Sequence, residues 1–309
     1  MDGTVKTLSP TDIDFDAYFA EQQLDTAKVK PASAFVDAVI DRFHGEGQAA
    51  NWTPTGFDKM RDKFDLRPGE VTVWAGINKH GKTTFLSHVM LNVMQQGAKV
   101  CVASMEMRPS DSMSKMTMQA AGTGSPTIPF IRAFHRWTDG KLWIYDHLGR
   151  LDAKRVLAVA TYVRQEIGMD HMVIDSLMKC GIGVDDLTGQ KDFIDALCSI
   201  ARDTGLHIHL VCHMRKGESD TAAPGKFDVK GAGEITDLVD NLVIVWRNLR
   251  KDDKPDTPSS DPDAYMRVAK QRHHSWEGSF SFWFDKASQQ FLEFEAQRPT
   301  FVDVGRAYA

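Results

Sequence analysis

The stretch Val71-Thr72-Val73-Trp74-Ala75 runs directly into Gly76-Ile77-Asn78-Lys79-His80-Gly81-Lys82-Thr83, and Thr83 opens an apolar-periodic segment that continues to Gln96. No other feature limits the fold as much. The pattern G-x-x-x-x-G-K-[ST] between a strand and a helix is a phosphate-binding loop: glycines permit the tight backbone, and the loop and helix N-H groups converge on an anion. Lys82 adds a point charge for the terminal phosphates, and the Thr83 hydroxyl suits magnesium. The expected nucleotide contacts are Gly76, Asn78, Lys79, His80, Gly81, Lys82, Thr83 and Thr84, with ATP or another nucleoside triphosphate and Mg2+ as ligands.

The remainder of the chain fits an α/β architecture around a mostly parallel sheet. Short Val/Ile/Leu-rich runs predict strands at Val71 to Ala75, Lys99 to Ser104, Leu142 to Tyr145, Met172 to Ile174, His207 to Cys212 and Asn241 to Trp246. Helices are predicted at Thr83 to Gln96, Asp111 to Ala121, Asp152 to Glu166 and Gln190 to Thr204. A charged, proline-rich loop from Lys251 to Pro262 follows, then antiparallel strands at Tyr265 to Lys270, Ser279 to Phe284 and Phe291 to Phe294.

Ahead of this core, residues 1 to about 30 are polar and read as a flexible or partner-dependent arm. From Ser33, placed as a cap, to His44, the apolar residues Phe35, Val36, Val39, Ile40 and Phe43 recur at helical spacing. This helix either covers the domain's own core or docks on a neighbouring subunit. The expected division is an arm with linker helix over 1–50, an ATPase domain over 51–295 and a tail over 296–309.

No apolar run reaches the roughly eighteen residues of a membrane span, and the start lacks the basic and apolar regions of a signal peptide, so a soluble, cytoplasmic protein is expected. Cys101, Cys180, Cys198 and Cys212 show no C-x-x-C spacing and read as reduced core thiols. The net charge of -5 gives no global footprint for nucleic acid, so any contact with it needs a local patch.

Hydrolysis requires acids beside the loop. Glu106 lies just past one strand and Asp175 closes another, and strand ends in such a sheet face the ligand crevice. Glu106 is expected to be the general base and Asp175 the metal-side acid. His213, after the strand ending at Cys212, is placed to sense the γ-phosphate. The spacing of His207, His209 and His213 suggests zinc weakly, since no cysteine or acidic set accompanies it. The stretch from Met214 to Gly233 is long, basic and glycine-bearing; its Arg215, Lys216, Lys226 and Lys230 suit a nucleic-acid backbone, or simple solvation. Arg272 offers the fork of donors that stabilises a transferring phosphoryl group.

These residues together resemble the DnaB-type ring helicases, closest to the helicase domains of phage primase-helicases and Twinkle. The likeness covers roughly Trp52 to Lys286: Pro54-Thr55-Gly56-Phe57-Asp58, the phosphate loop, Ser104-Met105-Glu106-Met107, Val173-Ile174-Asp175-Ser176, Leu210-Val211-Cys212-His213, Lys230-Gly231-Ala232-Gly233 and Lys270-Gln271-Arg272. The resemblance implies a RecA-like core and a ring-forming, ATP-driven DNA helicase, probable hexamer included, acting in phage replication in the host cytoplasm. It implies Arg272 as a trans finger with Lys270 as its accessory, Arg247 near the nucleotide base, and Lys230, Gly231 and Gly233 with the rest of their loop on single-stranded DNA. It further implies a linker helix at Ser33 to His44 and a primase or loader as partner.

Ala232 departs from the serine of many members, and His213 matches the phage and mitochondrial branch rather than the bacterial glutamine. Only about fifty residues precede the core, which leaves no room for a primase domain or N-terminal collar. Two rivals stay open: a RecA-like DNA-binding ATPase that does not unwind, and a nucleotide-gated assembly or adaptor module.

Overall fold

A computed structural model describes residues 6–8, 31–37, 39–40, 52–183, 185–214, 224–229, 233–253 and 260–305. The first half alternates short strands and helices. The strands are β1 (Lys6–Leu8), β2 (Thr53–Pro54), β3 (Asp65–Leu66), β4 (Val71–Gly76), β5 (Val100–Ser104), β6 (Leu142–Tyr145) and β7 (His171–Asp175). The helices between them are α1 (Lys82–Gln95), α2 (Pro109–Ala121), α3 (Ile128–Trp137) and α4 (Ala153–Gln165). Then follow α5 (Leu187–Thr204), β8 (His207–His213), α6 (Glu234–Leu238), β9 (Asn241–Arg247), α7 (Leu249–Asp253), β10 (Ala264–Gln271), β11 (Gly278–Asp285) and β12 (Gln290–Leu292).

Among the described residues the main sheet runs β1-β6-β5-β7-β8-β4-β9-β10-β11-β12. From β1 through β9 all neighbours are parallel, and β10 to β12 extend the sheet antiparallel. Every residue of β4 is buried because both faces are covered. Successive side chains point to opposite faces: Val71, Val73 and Ala75 join the core beneath α4 and α5, while Trp74 joins the core beneath α1 and α2.

Local chemistry sets the helix ends. Asp152 and Asp186 accept from the backbone N-H groups of Lys154 and Gly189 at the starts of α4 and α5, and α2 opens on Pro109 and closes on Gly122 at φ 63°. The antiparallel ribbon is held on α1 by aromatic packing, with the Phe85 ring 5.1 Å from Phe282 and 4.9 Å from Phe291. This contact carries β11 and β12 to the phosphate loop.

The structure corrects the expectations in four places. Lys6–Leu8, read as part of a flexible arm, pairs in parallel with β6 at the sheet edge. Helix α3 was not expected; Thr127 caps it and Pro129 lies in its first turn. The segment near Ser33 begins as a 3-10 turn at Ala32–Phe35, with Pro31 rather than Ser33 at its cap. Finally, the tail folds back on the core: Gln290 exchanges two side-chain bonds with the backbone of Thr300, and Val302 N-H donates to Ala120 O. All four cysteines are buried and free. Among the described residues no helix is long and apolar enough to cross a membrane.

Candidate nucleotide site

The phosphate loop is shaped by backbone that few residues tolerate. Lys79 and Gly81 take φ of 66° and 86°, and a Cβ on Gly76 would run into the Val245 carbonyl. Lys82 Nζ donates to the carbonyls of Gly76 and Ile77 at 2.9 Å, which spends two of its three protons and leaves one. His80 turns away from the cleft chemistry: it is buried, and its Nδ1 accepts the backbone N-H of Arg247 at 3.1 Å. Its part in the site is to tie the loop to β9.

Three neighbouring strands, β5, β7 and β8, deliver the acids and the histidine to this loop. Glu106, Asp175 and His213 line one cleft of about 1080 Å3 together with Asn78, Lys79, Gly81, Lys82, Thr83 and Thr84. Thr83 Oγ1 donates to Asp175 Oδ2 at 2.7 Å. Burial pushes the Asp175 carboxyl up, and the Thr83 hydroxyl and Lys82 oppose it. A hydroxyl beside a carboxylate is a hard oxygen pair, so these residues fit Mg2+.

Glu106 Oε1 accepts from Ser176 Oγ at 2.8 Å, and His213 Nε2 lies 3.6 Å from the same oxygen. His213 beside it, helped by the Ser176 hydroxyl, holds the Glu106 carboxyl down to about 2 against the effect of burial. His213 Nδ1 is enclosed and has no hydrogen-bond partner in the protein, so it has capacity for a water or ligand oxygen. Burial lowers the Lys82 ammonium, and Asp175 and Glu106 counter it.

A second cavity of about 600 Å3 opens on the other side of the loop, between Lys79, His80, Gly81 and Thr84 and a wall containing Arg247, Phe284 and Lys286. Arg247 therefore sits beside the loop, in a space suited to a nucleotide base.

Lys270 and Arg272 line neither cavity. Lys270 Nζ donates to the carbonyls of Thr236, Asp237 and Val239, each at 2.8 Å, and Arg272 Nη2 donates to those of Asp237 and Leu238 at 3.1 and 2.8 Å. Arg272 also lies 3.5 Å from Asp240. The two cations cap the C-terminal end of α6, where unpaired carbonyls and the helix dipole favour positive charge. Lys270→Ala is expected to lower stability by about 1–3 kcal/mol, read as a shift in the urea midpoint; an unchanged midpoint would count against the cap.

Of the expected DNA contacts, Lys226 and Gly233 are exposed, whereas Arg215, Lys216, Lys230 and Gly231 lie outside the described residues. The base of their loop is fixed, because Met214 pairs with Val229 and Met214 N-H donates to Gly76 O at 3.1 Å. One end of the loop is thus bonded to the phosphate loop, and the other leads through Gly233 into α6.

Sequence reasoning passed over two residues here. Lys115 reaches from α2 into the cleft and donates to Thr84 Oγ1 at 3.3 Å; its signal was a helix beginning directly after Glu106. Ser176 was noticed only within a motif and received no role.

A parallel sheet with an antiparallel extension, a phosphate loop, and acids at adjacent strand ends define a RecA-like P-loop ATPase domain. The chain belongs to an AAA domain family, whose model matches residues 31–219. It is 24% identical over 220 residues to the DNA helicase/primase of Enterobacteria phage T3, covering 64% of this chain and 39% of that protein. It is 23% identical over 234 residues to the Twinkle homolog protein, chloroplastic/mitochondrial, of Arabidopsis thaliana, covering 69% of this chain and 32% of that one. The chain thus spans well under half the length of these relatives. In fold it is similar to a DnaB-like replicative helicase solved with attention to its interactions with primase, at TM-score 0.71 and 16% identity over 87% of this chain and 69% of that one. A solved helicase-type ATPase domain gives TM-score 0.69 at 18% identity, covering 84% of this chain and 99% of the other. These relatives agree with the resemblance to DnaB-type helicases drawn from the motifs.

Proposed function

We propose that this chain is the ATPase motor of a DnaB-type DNA helicase, which assembles into a ring, probably of six copies in the sense the resemblance implies, and moves along single-stranded DNA. The observation that carries the reading is the convergence of Lys82, Thr83, Glu106, Asp175 and His213 on one cleft. Loop N-H groups and the free proton of Lys82 bind the phosphates. Glu106, kept ionised, takes the proton of the attacking water. His213 faces the same space and responds to loss of the terminal phosphate. Thr83 and Asp175 hold Mg2+, which when bound neutralises charge on the phosphate oxygens. The base enters the cavity beside Arg247.

The cleft contains no arginine finger of its own, since Arg272 and Lys270 are committed to α6. In a ring they serve a neighbour's nucleotide by exchanging these carbonyls for phosphate oxygens. Docking between copies is supported by Val36, Val39 and Ile40, which stand 53%, 50% and 49% exposed at helical spacing instead of covering this domain's core. Exposed Lys226 and the loop around it are assigned to DNA, and a primase or loader is the expected partner. The relationship to phage proteins supports a phage origin and action in the host cytoplasm.

Unwinding of a forked duplex with ATP, alongside hydrolysis with and without single-stranded DNA, tests the motor. DNA-stimulated hydrolysis without strand separation would move the reading to a DNA-binding ATPase that does not unwind. For the shared site, Arg272→Ala subunits mixed with Glu106→Gln subunits are expected to recover part of the hydrolysis that each lacks. No recovery at any ratio would refute action in trans.

A further inference from the structure

Ser176 is fully buried behind the cleft and contributes no surface to it. Its main chain is pinned: the Ser176 carbonyl accepts from Lys179 N-H at 2.9 Å and from Cys180 Sγ at 3.5 Å. Its hydroxyl has one proton, and that proton is given to Glu106 Oε1 at 2.8 Å. The backbone on the other side of this bond is fixed as well. Met105 N-H donates to Asp175 O at 2.9 Å, and Gly149 N-H donates to Met105 O at 3.0 Å. The ends of β5 and β7 are therefore locked together, and the Ser176 to Glu106 bond is the last rung between them.

The locked backbone alone does not orient the carboxylate. A glutamate side chain has three rotatable bonds, and ordering one costs about 1–2 kcal/mol. The Glu106 side chain is 36% exposed on the open cleft, so a partner is needed to select one rotamer. His213 Nε2 at 3.6 Å is too far for a good hydrogen bond, which leaves the Ser176 hydroxyl as the short contact among those found for this carboxylate. Both partners address Oε1, so Oε2 is the oxygen left to face the cleft.

We propose that Ser176 is a positioning residue for the general base: by holding Oε1 of Glu106 it presents Oε2 to the attacking water. This rests on the reading of Glu106 as the base. Ser176 itself touches neither water nor nucleotide, so its removal acts on turnover and not on binding.

The test uses the full chain with saturating Mg2+ and ATP, with affinity measured separately using a fluorescent ATP analogue. Ser176→Ala is expected to lower kcat about tenfold, the equivalent of releasing one ordered side chain, with unchanged KM and analogue affinity. Ser176→Cys keeps the volume with a weaker donor and is expected to fall between the two, which guards against a folding defect in the alanine variant. In the Glu106→Gln background, where residual hydrolysis is followed in single turnover, Ser176→Ala is expected to cost nothing further. Parental kcat in both serine variants would overturn the proposal, as would an equal loss with and without Glu106, which would mark Ser176 as merely structural. Full turnover in Glu106→Gln alone would instead overturn the assignment of the base.

Discussion

Lys82→Ala is expected to reduce ATP turnover about a thousandfold or more, in a chain that still folds. The ammonium is 5% exposed and is the only cation that the loop itself directs into the cleft among Lys79, His80 and Lys82 with bonds to the loop carbonyls. Lys115 shares the cleft but lies on the Thr84 side, bonded to that hydroxyl, so it does not take over the same oxygens. Stability should change little. The substitution removes two hydrogen bonds to Gly76 and Ile77, but it also removes the desolvation cost that lowers the ammonium's pKa. Phosphate release measures the first effect and the melting temperature the second. Full turnover in a folded variant would remove the site assignment altogether.

The parts of this site that were legible in the sequence share a physical character. Glu106 and Asp175 could be placed because each ends a run that is apolar on both faces, and a buried parallel strand announces itself by composition alone. The phosphate loop could be placed because its glycines answer a backbone requirement that remains local. What escaped depends on distant pairing. Lys6–Leu8 is too short to signal a strand, and it becomes one only against Trp143 to Tyr145. The grip of Lys270 on Thr236, Asp237 and Val239 joins residues more than thirty positions apart, so no window of sequence displays it. Helix α3 follows Gly122-Thr123-Gly124-Ser125-Pro126, punctuation that reads as loop, although Thr127 had the character of a cap.

The histidines give the most instructive case. His207 and His209 alternate along β8, so they share a face, and that much is sequence. Their partners are not, because β7 and β4 supply them across the sheet. Trp74 Nε1 donates to His209 Nδ1 at 3.1 Å, which places the His209 proton on Nε2, where it is given to His171 Nδ1 at 3.2 Å. His207 donates from Nδ1 to the Arg67 carbonyl, and the Thr72 hydroxyl, 2.9 Å away, fills its Nε2. Each ring is thereby satisfied as a neutral imidazole. The arrangement weakly suggested as a metal site is a buried hydrogen-bonded stack, with His207 and His209 only 4.5 Å apart between ring centroids.

That stack predicts a sharp loss of stability in mild acid. Burial holds His88 and His171 down to about 4 and His207 to about 3, and it lowers His209 well below its ordinary value, with neighbouring rings adding to the effect in the stack. The unfolded chain binds a proton on each near pH 6.5, so between that pH and about 4 the unfolded state holds more protons and unfolding becomes easier as pH falls. Each histidine contributes about 2 kcal/mol of lost stability by pH 5, or about 8 kcal/mol for the four, against a total stability of about 5–15 kcal/mol. Asp175 and Glu70, whose carboxyls burial pushes up, act in the opposite direction, since the folded chain takes up their protons first. Their contribution begins where the histidines have already spent most of the margin. Urea titrations at pH 7.5, 6 and 5 should therefore show a falling midpoint, with much of the chain unfolded at pH 5 without urea. His88→Gln, outside the stack, should recover only its own share. A midpoint that stays level from pH 7.5 to 5 would mean that the rings are protonated in the folded chain, and the assignment of four neutral histidines would be wrong.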